Sequence, residues 1–333
     1  MLAQQSKEYG GCLPLEKICF NQNPFYNYPH ITFNSGCSAI LGAVRNYGAD
    51  SVWLPYYLCP SVKEFLKDHG VIVREYFLTK DYMPEVSNIE KSEMILWVNW
   101  YGCMKKESIN TIRKKYGKQL IFDNTQALFY DPDVANYSCY YVYSCRKFLG
   151  VPEGAYLVQK EIRGIEEQRG FFEADWRYLC EALDQGSNSQ YSHYKENEKK
   201  IEEHFCDMSY LTKEYLKAVP WEQIKEKRKN NFDFLHQKLS HKNGLKVDFT
   251  SQSAFMYPFM IEKEGLREHL IENKIYVPMW WKHLLRLEDI SKVEYHWAQY
   301  IVPVPIDQRY KETDMQKIAE VILRFLERKD VEN

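Results

Sequence analysis

Residues 118–150 read KQLIFDNTQALFYDPDVANYSCYYVYSCRKFLG. Two apolar runs in this stretch end abruptly in polar residues, the first at Asp123 and the second at Arg146-Lys147. Short apolar runs without alternation are characteristic of strands buried on both faces, and hence of a parallel sheet. MILWVNWYG, just upstream, has the same form and turns polar at Asn99. Asn99, Asp123 and Lys147 follow one another at intervals of 24 residues. Ligands of parallel sheets bind beyond the carboxyl ends of the strands, so these three side chains can reach one crevice.

The neighbouring sequence supports this architecture. FNSGCSAILGAVRNYG (33–48) reads as a strand end, a small-residue turn and a helix. SVWLPYYL and VIVREYFL are strand-like, with the short amphipathic helix PSVKEFLKDHG between them and Gly70 as its C-terminal stop. KKESINTIRKKYG reads as a further helix. Strands alternating with helices predict an α/β fold with a mostly parallel sheet flanked by helices. Residues 162–218 are rich in Glu, Lys, Tyr and Gln and read as mostly helical; WEQIKEKRKNNFDFLHQKL reads as a helix crossing into a second unit. The remainder predicts a smaller C-terminal α+β domain: strands in LKVDF, SAFMYPFMIE, IYVPMWW and QYIVPVPI, and helices in LREHLIENK and DMQKIAEVILRFLER. The expected division is residues 1–225 as a large domain, with an N-terminal arm and the helical segment 162–218, and 226–333 as the small one.

Composition narrows the function classes. The 333 residues carry 46 acidic and 44 basic side chains, a net charge of −2, which gives no electrostatic footprint for nucleic acid. Hydrophobic content of 45% suits a packed globular chain rather than a disordered one. The N-terminal MLAQQSKEYGG has no apolar signal core, and runs such as MILWV are too short to span a bilayer. The nine cysteines follow no framework spacing and suit reduced thiols; with the polar N-terminus they predict a cytoplasmic protein without membrane partners. No CxxC or HExxH pairing appears, so no metal is expected, and His204 with Cys206 reads as packing.

Taken singly, Lys147 reads as a surface charge, Asp123-Asn124 as turn chemistry and Asn99 as a loop residue. Taken jointly, an amine, a carboxylate and an amide at adjacent strand ends are the parts that hold pyridoxal 5'-phosphate (PLP). The lysine forms a Schiff base with the aldehyde, and the aspartate keeps the ring nitrogen protonated. Asn99 and Gln126 are candidates for the ring hydroxyl. Ser35, Gly36 and Ser38, at the start of the first helix, form a candidate phosphate cup, because small residues and a helix N-terminus admit an anion. Ser144 and Arg146 can add phosphate contacts, and Tyr56 or Tyr57 can cover the ring face. Trp280 and Trp281 are candidates for the wall of an acceptor pocket, and Arg309 for holding a substrate carboxylate.

NSGCSAIL, VNWYG, FDNTQAL and SCRKFLGVPEG, in this order, resemble fold-type I PLP enzymes and more closely the DegT/StrS-type sugar aminotransferases. IYVPMWW and VPIDQRYKETDMQKIAEVI are similar to that family's small domain. The resemblance implies the PLP transferase fold, Lys147 as Schiff-base lysine, Asp123 as pyridinium partner, Gly36, Cys37, Ser38 and Ser144 near the phosphate and Tyr57 at the ring face. It also implies a homodimer that moves an amino group from a small-molecule donor to a keto acceptor, with nucleotide-linked sugars among the candidates. The chain departs from the family at Cys37, commonly threonine there, at Asn99, usually histidine, and at YSCR and PEGA around the lysine. The residues leave open another PLP reaction (elimination, decarboxylation or racemisation) and a fold retained for binding with chemistry weakened or lost.

Overall fold

The apolar runs at 93–98, 120–123 and 140–144 are buried along their whole length, as central strands covered on both faces must be. A computed structural model supplies the coordinates; the structure describes residues 18–164, 173–186, 189–245 and 253–327. β1 (His30–Phe33) leads into α1 (Gly36–Tyr47). β2 (Ser51–Pro55), α2 (Pro60–Asp68), β3 (Ile72–Tyr76), β4 (Glu93–Val98), α3 (Lys106–Tyr116), β5 (Leu120–Asp123), β6 (Tyr140–Ser144) and β7 (Ala155–Val158) follow.

These strands form one seven-stranded sheet in the order β1-β7-β6-β5-β4-β2-β3. The pairs β3–β2, β2–β4, β4–β5 and β5–β6 are parallel. β7 is antiparallel to both β6 and β1, so it alone is reversed and the other six share one direction. The carboxyl ends of β1, β2, β4, β5 and β6 therefore lie along one edge of the sheet, and the candidate residues follow them. α1 opens on Ser35, whose side chain accepts from Ser38 N, and closes on Gly48 at φ 80°. α2 has Pro60 in its first turn and His69 as C-cap; Gly70 follows at φ 79°, with its N–H on the carbonyl of Lys67.

The predominantly helical segment contains α4 (Arg177–Gln185), α5 (Tyr191–Glu202) and α6 (Tyr210–Ala218). α7 (Trp221–Leu239) runs without a break through residue 225. Beyond it come β8 (Tyr257–Met260), α8 (Leu266–Glu272), α9 (Val293–Tyr300), β9 (Ile301–Val304) and α10 (Glu312–Glu327). β8 and β9 form a two-stranded antiparallel sheet, and α7 packs on α10. Buried side chains from the seven-stranded sheet and from this C-terminal part belong to one contiguous apolar cluster.

One expectation needs correction. IYVPMWW forms no strand: residues 275–281 are irregular, Pro278 removes a ladder donor, and Trp281 turns the chain at φ 56°. The short strand β7 and the helix α9 were not anticipated. The strand expected in LKVDF lies, from residue 246 on, outside the described residues. Among the described residues no helix is long and apolar enough to cross a membrane.

Candidate active site

Asp123 is the last residue of β5, opposite Val142 of β6, and is 2% exposed. Its Oδ1 accepts the N–H of Thr125 at 2.7 Å, the local turn expected of an aspartate at a strand end. Two residues after β6 ends at Ser144 the chain reaches Arg146 and Lys147, both half-buried. Lys147 Nζ donates to Thr125 Oγ1 at 3.1 Å. Thr125 thus ties the amine to the turn that carries the carboxylate. Burial pushes the Lys147 amine down, opposed chiefly by the Asp123 carboxylate; Arg146 adds to the depression. Burial pushes the Asp123 carboxyl up, opposed chiefly by Lys147 and then by Thr125.

The N-terminus of α1 borders this group. A Cβ built on Gly36 would lie 3.1 Å from Thr125 Cγ2, so a side chain there would crowd the residue that holds Lys147. The hydroxyls of Ser35 and Ser38 have structural duties. Ser35 Oγ accepts from Ser38 N and donates to Ser38 Oγ, and Ser38 Oγ donates to the carbonyl of His204. What remains for an anion is the first-turn N–H groups of Gly36 and Cys37, which have no intrahelical acceptor. The Cys37 thiol is pushed up to about 12 by burial and then by Glu202, and so stays neutral. Ser144 is buried at the end of β6, in register with Ala155. Arg146 turns toward α5, where Nη1 meets Glu198 Oε1 at 2.9 Å and Tyr194 Oη at 3.0 Å.

Asn99 and Gln126 spend hydrogen bonds on backbone shape. Asn99 Nδ2 donates to Asn124 Oδ1 at 3.1 Å, and its Oδ1 accepts from Met104 N at 3.3 Å. Gln126 Oε1 accepts from Tyr101 N at 2.8 Å, holding a residue whose φ is 61°. Tyr57 is fully buried: its hydroxyl lies 2.9 Å from that of Tyr101, and its ring meets the Trp281 ring edge-on at 4.3 Å. Trp280 lies parallel to Tyr101 (5.7 Å between centroids) and to Phe255 (6.0 Å). Both tryptophans therefore pack against the turns that follow β2 and β4. Tyr82, Tyr101 and Trp281 all sit at positive φ within this aromatic cluster, each at a cost of about 1–2 kcal/mol. Arg309 is largely exposed and forms a two-pronged pair with Asp307 at 2.8 and 2.9 Å.

The lysine loop is anchored from two sides. Gln308 Nε2 donates to the carbonyl of Phe148 at 2.9 Å, and its Oε1 accepts from the buried Arg228 at 3.1 Å. On the other side Glu153 accepts from Ser209 N and Oγ at 3.2 and 2.8 Å. Burial pushes the Glu153 carboxyl up to about 7, against the hydrogen bonds of Thr212 and Ser209. A folded-state value above the ordinary 4.3 or so means that the folded protein holds this proton longer than the unfolded chain. Its contribution to stability is therefore greatest in acid and is lost as pH rises from about 4.3 to about 7. Glu153→Gln keeps an acceptor for Ser209 and cannot ionise. Denaturant unfolding should show the variant more stable than the parent by about 1–2 kcal/mol at pH 8, with the gap closing toward pH 4.5. A pH-independent gap would refute this assignment.

Thr125, Tyr101 and Glu198 were not anticipated as site residues. Thr125 alone had a local signal, as a hydroxyl residue two positions beyond a strand-end aspartate. No protein-family model matches the sequence, and no curated protein matches it. Solved structures do match. A DegT DnrJ EryC1 StrS aminotransferase from Brucella abortus is 14% identical, with TM-score 0.57 over 93% of this chain and 92% of that one. PseC of Helicobacter pylori, an aminotransferase involved in the biosynthesis of pseudoaminic acid, is 15% identical, with TM-score 0.55 over 89% and 86%. The sugar aminotransferase CalS13 from Micromonospora echinospora is 11% identical, with TM-score 0.58 over 88% and 86%. The chain has the fold of these aminotransferases, the PLP transferase fold of type I.

Proposed function

We propose that the protein is a PLP-dependent aminotransferase that passes an amino group from a small amino donor to a keto acceptor. The observation that carries the reading is the linkage of Lys147 to the Asp123 turn through Thr125, beside a helix N-terminus that only a small residue leaves open. These residues fit the cofactor. Lys147 is the amine for its aldehyde, Asp123 the buried carboxylate for its ring nitrogen, and the N–H groups of Gly36 and Cys37 are donors for its phosphate. Bound PLP would supply an electron sink for a substrate carbanion. Asp123, kept from solvent, holds the ring nitrogen's proton in place. Lys147 Nζ, with its affinity for protons reduced by burial, takes a proton from the substrate carbon and returns it. Thr125 Oγ1 keeps that nitrogen on the Asp123 side.

The acceptor is proposed to be a nucleotide-linked sugar, because the structural neighbour DesI is solved in the presence of its TDP-sugar product, with Trp280 and Trp281 walling its pocket. Arg309 is retained as a candidate for a substrate carboxylate, which would require it to leave Asp307. We also propose a homodimer and, from cysteines that follow no framework spacing, a cytoplasmic setting. The test is a half-reaction: PLP-loaded protein mixed with L-glutamate, then with other amino acids. Conversion of the yellow bound cofactor to its pyridoxamine form supports amino transfer. No conversion with any donor would overturn it.

A further inference from the structure

The Phe148 carbonyl, one residue beyond Lys147, can only accept a hydrogen bond, and the Arg228 guanidinium of α7 can only donate. Gln308 bridges them: its Nε2 donates to Phe148 O at 2.9 Å, and its Oε1 accepts from Arg228 Nη1 at 3.1 Å. An amide meets both demands at once; a carboxylate lacks the donor and an ammonium lacks the acceptor. Arg228 is 2% exposed, lies with Cζ 4.7 Å from the centre of the Phe148 ring and donates through Nη2 to the carbonyl of Phe255. Phe255 N in turn donates to the carbonyl of Tyr101 at 3.1 Å. Asn231, one turn further along α7, donates to the carbonyls of Ile306 and Asp307 at 3.2 and 3.0 Å and so fixes the segment that carries Gln308. The N–H groups of Phe148 and Leu149 both run to the carbonyl of Cys145, within the lysine turn itself, and Gln308 ties that turn to the C-terminal part.

We propose that Gln308, oriented by Arg228, is a positioning residue that holds the lysine turn so that Lys147 Nζ stays at Thr125, where an aldehyde can meet it. The proposal rests on the reading of Lys147 as the amine that attaches the cofactor. Lys147 Nζ reaches Thr125 Oγ1 at 3.1 Å, a bond made across to the turn that follows β5. That bond survives only while the backbone of the two turns keeps its spacing, and misplacements of about 1 Å are enough to spoil a reacting geometry. The bonds of Gln308 run to the Phe148 carbonyl and to Arg228, so it acts on the amine through the chain. The same guanidinium reaches Tyr101 through Phe255, so one buried cation braces the turn after β4 and the turn after β6 together.

Gln308→Glu separates this role from a share in stability. The carboxylate keeps an acceptor for Arg228 and adds charge to the bond, so the denaturation midpoint should hold or rise. It has no proton for the Phe148 carbonyl, so the lysine turn should loosen. The full chain without PLP is treated with limiting acetic anhydride at pH 7.5, and modification is read by peptide mass spectrometry. Acetylation of Lys147 should quicken by about three- to tenfold, the scale of one lost hydrogen bond. Lys118, just before the amino end of β5 and so at the opposite edge of the sheet, should keep its rate. Gln308→Met loses both bonds; it should quicken Lys147 by a similar factor with a lower midpoint, and it decides if Gln308→Glu does not fold. Titration with PLP should give a Kd raised by a similar factor in either variant. A Lys147 rate unchanged or slowed in a folded variant, a rise shared by Lys118, or an unchanged Kd overturns the proposal. Failure of the parent protein to take up PLP would instead overturn the reading of Lys147, since the acetylation needs no cofactor.

Discussion

Replacing Lys147 with alanine is expected to abolish covalent attachment of PLP and to slow the glutamate half-reaction by about 10³-fold or more. The argument is positional. Lys147 Nζ reaches Thr125 Oγ1, and Thr125 is fixed by its own N–H on Asp123, so the amine stands where its nitrogen can both bond the aldehyde and shuttle a proton. Arg146, the neighbouring cation, is engaged by Glu198 and cannot take over. The shortened side chain also removes the chief influence that opposes protonation of the buried Asp123 carboxyl. Folding should survive, because Phe148 and Glu153 keep their anchors on Gln308 and Ser209. Absorbance of the PLP-loaded variant and a stopped-flow glutamate trace check the prediction. A variant that stays yellow through dialysis with an unchanged rate would contradict it.

Asp123→Asn should fold and bind PLP yet lose about 10²- to 10³-fold in the same half-reaction. The amide oxygen can still accept from Thr125 N, so the turn is retained. What is lost is negative charge in a buried place, and with it the reason for a proton to remain on the cofactor's ring nitrogen. The substitution also removes the strongest influence favouring the Lys147 ammonium, so the amine should titrate at lower pH than in the parent. Rate and lysine titration are read on one preparation. An unimpaired rate would sink the ring-nitrogen role of Asp123 while leaving that of Lys147 intact.

The neighbouring placement of Asp123 and Lys147 was legible because Asp123 closes one apolar strand, Lys147 follows the next by three residues, and parallel strands deliver their carboxyl ends to one edge. The Ser35 cap and the Gly36 turn were legible for a similarly local reason. β7 was not: Ala155–Val158 is four apolar residues long, too short for any period to show. IYVPMWW misled because its residues favour strands, while Pro278 and the turn at Trp281 deny it a partner strand. Tyr56 and Tyr57 could not be ranked locally. The strand ends at Pro55, and tertiary packing then buries Tyr57 against Tyr101 and Trp281. The clamp on Arg146 was beyond sequence reading altogether, since Glu198 reaches it from a helix far along the chain. Asn99 and Gln126 were found as polar strand-end residues, but their bonds to Asn124, Met104 and Tyr101 are set by tertiary structure.

The account stands on an amine, a buried carboxylate and an anion cradle meeting around one aldehyde. Its most direct measurement is borohydride reduction of the PLP-loaded protein, followed by proteolysis and peptide mass mapping. The account predicts one reduced phosphopyridoxyl group per chain, on the peptide that contains Lys147. An adduct on another lysine, or none at all from protein shown to be folded and exposed to excess PLP, would contradict it.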